Sequence, residues 1–204
     1  MPKKNEAEVL GRQALKTKRT RESLINATIS LIKEGGFAAA SSSRIAERAG
    51  MTWGAAQHHF GSKEDILNAI LALSYERFIE TMAAPGLDQG SMEQRVGGFV
   101  DRMWTHYQSD WYRVSLEILL ATREGTDHAD RAWEVRQGKA HLKVVRQVFH
   151  DSRLSDVRIQ EVLTFTHCCL SGLSIEGIFE TQVKNLSRHL QRIKQAMLAM
   201  LQGN

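Results

Sequence analysis

Only two of the 204 residues are cysteine and only two are proline. The cysteines, Cys168 and Cys169, are adjacent, which rules out an ordinary disulfide framework and favours a reducing compartment. The prolines, Pro2 and Pro85, leave long stretches in which nothing interrupts a helix. Sustained strand-like alternation is missing as well. No apolar run approaches the roughly 20 residues that a bilayer-spanning helix needs, which at this level excludes a membrane segment. The start, Met1-Pro2-Lys3-Lys4, leads into Glu6 and Glu8 rather than an apolar core, unlike a secretory leader. The expected location is cytoplasmic.

What is present is ordinary in amount and uneven in placement. Hydrophobic residues make up 42% and charged residues 25%, as in a globular chain. Residues 1–65 hold 11 Lys and Arg against 7 Asp and Glu, whereas residues 66–204 hold 16 of each sign. Lys3, Lys4, Arg12, Lys16, Lys18, Arg19 and Arg21 crowd the beginning. A basic arm over 1–18 on a neutral body suggests a polyanionic partner, because such charge releases counterions from phosphates. The plainer alternative is a solvated leader that binds nothing.

The periodicity is helical throughout. Leu24, Ile25, Thr28, Leu31 and Ile32 form an apolar stripe that stops at Gly35-Gly36. Ser62-Lys63-Glu64-Asp65 reads as a cap with acids in the first turn, opening a helix through Ile66, Ile70, Leu73 and Phe78. Pro85-Gly86 and Gly90 then mark a junction. Ser91-Met92-Glu93-Gln94 has the capping-box pattern ahead of Val96, Phe99, Val100, Met103, Trp104 and Tyr107. Asp110 and Thr126 are the expected caps of the next two helices.

From Ser155 to about residue 182 the chain is apolar on more than one face, and Leu186, Leu190, Ile193, Met197 and Leu201 recur close to a heptad. A helix apolar on two faces must be covered twice. Gly172 and Gly177 allow close approach of a neighbouring backbone. Two such helices meeting their symmetry mates make a four-helix dimer interface, for which Leu170, Leu173, Gly177, Ile178, Leu190, Ile193, Met197 and Leu201 are the candidates. A central place in a monomer is the other option.

Residues 41–60 carry the functional signal. Ser41 can cap a short helix whose inward residues are Ile45, Ala46 and Ala49; Gly50 supplies a sharp turn; Thr52 can cap a second short helix. Small Ala46 opposite Ala56 lets the two cross closely. This is a helix-turn-helix layout, with residues 52–58 as the recognition helix, although structural helical pairs share the spacing.

Residues 19–70 resemble the N-terminal domain of the TetR family of transcriptional regulators. The matching stretches are Gly35-Gly36-Phe37, Ile45 to Thr52, Gly54, His58-His59-Phe60 and Ser62 to Leu67. The resemblance covers about a quarter of the chain and implies an all-α protein: a three-helix helix-turn-helix DNA-binding domain plus a larger helical regulatory and dimerisation domain. The expected organisation is a basic arm over 1–18, a DNA-binding domain over 19–65 with its motif at 41–60, a connecting helix over 66–84, and a ligand-binding and dimerisation domain over 85–204. The implied function is a homodimeric repressor that binds a palindromic operator in double-stranded DNA and is released by a small-molecule effector. The alternative is a dimeric helical sensor or interaction module without a specific DNA site.

Within that frame Lys63, at a helix start, suits a phosphate held by its amine and by free backbone N–H groups. Ser42, Ser43 and Thr52 offer short hydroxyls near helix starts, Arg21 adds charge, and His58 projects near the DNA backbone. Gly54, Ala55 and Gln57 face the groove: glutamine can pair with adenine and alanine can touch a thymine methyl, while Trp53 can pack on sugar or a base methyl or instead cover the domain core. Trp53, Ala55 and Gln57 depart from the family's usual residues, so base preference does not carry over.

For the effector, the candidates are Met103, Trp104, Tyr107, Trp111, Phe165 and Cys169 as apolar or polarisable lining, with Glu117 and His167 as orienting groups. An ordinary core without a ligand is the plainer reading of each. Ser41-Ser42-Ser43 lacks a nucleophile elbow, and His58-His59 and His167-Cys168-Cys169 lack helical zinc spacing. Neither an enzyme activity, a metal nor a cofactor is expected.

Overall fold

The structure is a computed structural model that describes residues 3–123, 132–179 and 183–203, without the side chains of 3–10, 12 and 132–137. Its helices are α1 (Lys3–Gly35), α2 (Ser42–Arg48), α3 (Trp53–Phe60), α4 (Lys63–Ala83), α5 (Met92–Tyr107), α6 (Asp110–Thr122), α7 (Ala132–Val148), α8 (Asp156–Phe179) and α9 (Leu186–Gln202), with a 3-10 turn at Phe37–Ala39. The fold is all-α. Two compact units emerge: residues 1–74 with 113–126, and residues 75–112 with 127–204. The chain passes between them inside α4, after Ser74, and inside α6, after Tyr112.

Helix starts follow their caps. Ser41 accepts from Arg44 N at 3.4 Å, and Thr52 accepts from Ala55 N at 3.3 Å. Ser62 and Asp65 bond reciprocally, as do Ser91 and Gln94 in a full capping box. One assignment is corrected: α6 is capped by Ser109, whose hydroxyl accepts from Tyr112 N at 3.2 Å, while Asp110 is already helical. The carboxylate of Asp110 then faces the positive end of the helix dipole from within the first turn. The proposed cap Thr126 lies outside the described residues.

Helix α1 runs unbroken from Lys3, so the backbone of the basic stretch is helical from its third residue. Between Pro2 and Gly35 only Gly11 is a poor helix former of the glycine or proline kind, too little to stop the helix.

In the first unit the stripe on α1 (Leu24, Ile25, Thr28, Leu31 and Ile32) is buried with Ile45, Ala46, Ala56, Phe60, Ile66, Leu67 and Ile70. From α6, Val114 and Ile118 are buried in the same unit. The second unit has its own core, built on Phe78, Phe99, Val100, Met103, Tyr107, Val145, Phe149, Ile159, Leu163, Leu170 and Met197. Each large side chain so buried contributes about 1.5–3 kcal/mol. Arg95, 3% exposed, ties the end of α7 to α5 by donating to the Val148 carbonyl (3.2 Å) and the Asp151 carboxylate (2.5 Å). Arg102 donates to the carbonyls of Thr81, Ala84 and Pro85, closing the C-terminal end of α4.

Helix α8 qualifies the membrane reading: at 24 residues with a mean hydropathy of 1.4 over its best stretch, it has the length and composition of a spanning helix. The exclusion drawn from uninterrupted apolar runs was therefore too strong. Its apolar character has a local account, because one face (Ile159, Val162, Leu163, Thr166, Leu170 and Ser174) is buried in the second unit's core.

Two imidazoles sit in that core. His106 lies 4.8 Å from the Phe78 ring and His141 lies 5.1 Å from it. Burial lowers the pKa of each to about 4. The unfolded chain binds these protons near pH 6.5 while the folded one refuses them. Stability is therefore full above about pH 6.5 and falls as pH drops toward 4, by roughly 2–3 kcal/mol per imidazole. Urea midpoints measured from pH 8 to 4 should show this decline, and His106→Phe should flatten it; an unchanged pH profile would contradict the burial argument.

Candidate nucleic-acid interface

The first unit builds a helix-turn-helix from the residues upward. Ala46 on α2 and Ala56 on α3 are both small and buried, 1% and 0% exposed, and the two helices pack together. Gly50 turns the chain with φ 72°, and the α2 end closes through Met51 N to the Ala46 carbonyl at 2.9 Å. Phe60 anchors the end of α3 in the core. With Ala56 and Phe60 inward, helical phase turns Gly54, Ala55, Gln57 and His58 outward, and all four are exposed together with the cap Thr52. Trp53 and His59 are half-buried at the margins. A Cβ added at Gly54 would meet no other atom within 4 Å, so this side of the helix is open.

The charged groups around α3 divide into committed and available. Arg21 donates to the His59 carbonyl at 2.6 Å and lies 3.8 Å over the Phe60 ring, so it clamps the end of α3 to α1. Arg48 is taken by a bidentate pair with Glu34 at 2.7 and 2.8 Å. Lys63 opens α4 with its amine 4.5 Å over the Phe37 ring, half-buried and held at a helix start. Ser43 is exposed, bonding Ser41 at 3.2 Å, and Ser42 is half-buried. Sequence reasoning passed over Arg44, an exposed cation on the first turns of α2; its position two residues past Ser42 was the available signal.

The candidate effector residues do not all converge. Tyr107 is buried and its hydroxyl bonds His167 Nδ1. Met103 is a buried core residue, and Trp104 and Cys169 pack against that core. Trp111 lies in the same unit, 4.4 Å under the Arg77 guanidinium. Glu117 is corrected: it belongs to the first unit, with its carboxylate over Gly36, because α6 changes units before reaching it. Phe165 stands 39% exposed, away from the buried face of α8. The reading missed Tyr112 and Ser171, bonded hydroxyl to hydroxyl at 2.9 Å; Ser171 falls one turn after His167, a spacing visible in the chain.

The dimer candidates divide likewise. Leu170, Ile193, Met197 and Leu201 are buried within the unit's own core and cannot also form a surface. Leu173 and Leu190 pack partly against it, whereas Gly177 and Ile178 are exposed. Outside the core face, α8 carries exposed Phe165, Cys168, Gly172, Ile175 and Phe179, spaced alternately by three and four residues.

Known proteins match this arrangement. A sequence model of the tetR family, described as bacterial regulatory proteins, matches residues 24–70. The HTH-type transcriptional repressor AcnR of Corynebacterium glutamicum is 28% identical over 174 residues, covering 79% of this chain and 87% of its own length. The HTH-type transcriptional regulator BetI of Escherichia coli is 36% identical over 130 residues, covering 63% of this chain and 64% of its own. A solved transcriptional regulator from Rhodococcus sp. Rha1 shares the fold with a TM-score of 0.68, at 18% identity, over 90% of this chain and 96% of its own.

The clamp on α3 has a measurable weight. Replacing Arg21 by alanine removes one charge-assisted hydrogen bond and a ring contact, which should cost about 1–2 kcal/mol in thermal or urea unfolding. Arg21→Lys should recover only part of it, since an ammonium cannot both stack and reach the carbonyl as a planar guanidinium does. Equal stability of Arg21→Ala and the parent would remove the clamp from the account.

Proposed function

The chain belongs to the TetR family of bacterial regulatory proteins and is a DNA-binding transcriptional regulator of the repressor type, and from that premise we propose that it acts as a homodimer on a palindromic operator and is released by a small molecule. The observation that carries the proposal is the outward row Thr52, Gly54, Ala55, Gln57 and His58 on α3, followed immediately by Lys63 at the start of α4. A major groove accepts one α-helix, and a lysine in the first turn of the next helix suits the adjoining phosphate. Gln57 and Ala55 read base edges, while Lys63, Thr52, Ser42, Ser43 and Arg44 hold the backbone. Arg21 acts through α3 as a positioning residue.

Dimerisation is assigned to α8. Phe165, Cys168, Gly172, Ile175 and Phe179 form a seam of the kind a second helix fills, and Phe179 is 80% exposed. Gly172 has no atom near its would-be Cβ, which suits close approach of a symmetry mate. Leu173, Gly177, Ile178 and Leu190 flank the seam, with Leu170, Ile193, Met197 and Leu201 supporting it from behind. A ligand held in the second unit releases DNA by favouring one spacing of the two reading heads, and α4, shared by both units, carries the change. A chromosomal operator makes the cytoplasm its place of work.

Selection of bound genomic fragments followed by footprinting tests the reading. A symmetric protected stretch with half-sites about one helical turn, or a multiple of it, apart is expected. Lys63→Ala should weaken binding on all sequences and reduce the salt slope by about one, whereas Gln57→Ala should change base preference at one position by about 1–3 kcal/mol. No symmetric footprint at low salt would defeat the proposal. Separately, Phe179→Glu with Ile175→Glu should shift sedimentation from dimer to monomer at micromolar protein; a persistent dimer would move the interface elsewhere.

A further inference from the structure

In the second unit the imidazole of His141, on α7, has its Nε2 buried with no hydrogen-bond partner among the described residues. Its neighbours are rings: Phe99 stacks on it at 6.5 Å between centroids, and Phe78 meets it edge-on at 5.1 Å. His106 adjoins Phe78 and lies 5.8 Å from the Tyr107 ring and 5.7 Å from the Tyr112 ring. The hydroxyls here are already spent, Tyr107 on His167 and Tyr112 on Ser171. A buried nitrogen left unpaired is rare in a folded core, and among the described residues none pairs with this one.

The surroundings define that partner's chemistry. None of the six residues His141, Phe78, Phe99, His106, Tyr107 and Tyr112 carries a carboxylate, ammonium or guanidinium, so a charged group buried among them would lack its counter-ion. Burial keeps the imidazoles of His106 and His141 uncharged near neutral pH. Ring faces and edges favour another ring at centroid distances of about 4.5–7 Å. A hydroxyl both donates and accepts, so it satisfies Nε2 in either tautomer of the histidine.

We propose that this cluster is the effector site and that its ligand is a small uncharged aromatic molecule bearing one hydroxyl, which bonds His141 Nε2 among the rings of Phe78, Phe99, Tyr107 and Tyr112. The proposal rests on the reading of the chain as a ligand-released regulator and names the ligand class for it. His106, Tyr112 and His141 are the partly exposed members of the cluster. Phe78 belongs to α4, the helix that begins at Lys63, so occupancy bears on the element that carries the phosphate anchor.

Three nearly isosteric probes test the class on the full chain: benzyl alcohol, benzoate and benzylammonium, titrated by calorimetry and by tryptophan fluorescence. Benzyl alcohol should bind saturably, with the two ions at least about tenfold weaker. His141→Phe should weaken the alcohol about tenfold while leaving the thermal midpoint equal or higher, since it deletes an unpaired buried nitrogen. Should the larger ring not fit, His141→Leu asks the same question. Tighter binding of either ion, no saturable binding of the alcohol, or equal affinity in the His141 variant overturns the proposal. Operator protection without probes is read separately: a lost footprint with intact alcohol binding removes the regulator reading alone, and an intact footprint without alcohol binding removes the site alone.

Discussion

The packing of α2 against α3 is the constraint on which the reading head depends. Each helix turns a small residue into the core, Ala46 and Ala56, both buried, which lets the two approach closely. Any larger residue at either place would push α3 outward and turn its exposed row. Gly50, at positive φ, makes the turn between them short enough for that approach. Arg21 and Phe60 then fix the far end of α3, one through a carbonyl and the other by burial. A helix of only eight residues cannot hold its own shape in water; these contacts hold it.

The second unit follows a different logic, in which polar groups are scarce and paired inside a large apolar core. Arg95 and Arg102 use their fork geometry to tie chain ends that would otherwise leave carbonyls unmet. The hydroxyls of Tyr107 and Tyr112 reach across to α8 and find His167 and Ser171. Ser174 adds a bond to the Tyr107 carbonyl at 2.7 Å. Among the described residues of this unit two buried nitrogens lack a partner, Nε of Arg95, whose other nitrogens are bonded, and Nε2 of His141.

Much of this was legible in the linear chain because its causes are local. The caps at Ser41, Thr52, Ser62 and Ser91, the stop at Gly36 and the stripe from Leu24 to Ile32 depend on neighbours within one or two turns. The misplacement of the α6 cap by one residue, from Ser109 to Asp110, has the same origin, since both can cap and only the backbone decides which is still outside the helix. Side chains on α8 were harder. A helix apolar all round has no phase, so its spacing does not say whether Leu170 or Phe165 turns inward. The packing of α5 and α9 against it made that choice, burying Leu170 and leaving Phe165 exposed. Glu117 went astray for a related reason: α6 belongs to two units, and a helical repeat carries no mark of where one ends.

By itself, the order of amino acids determined the helical class, the helix-turn-helix with its small crossing residues, and the outward row at the start of α3. Each follows from periodicity and from turn chemistry within a few residues. Tertiary structure decided which cations remain available, which face of α8 is left uncovered, and which polar groups meet in the second core. Those outcomes depend on pairs such as Glu34 with Arg48 and Tyr112 with Ser171, far apart along the chain and joined only when separate helices pack.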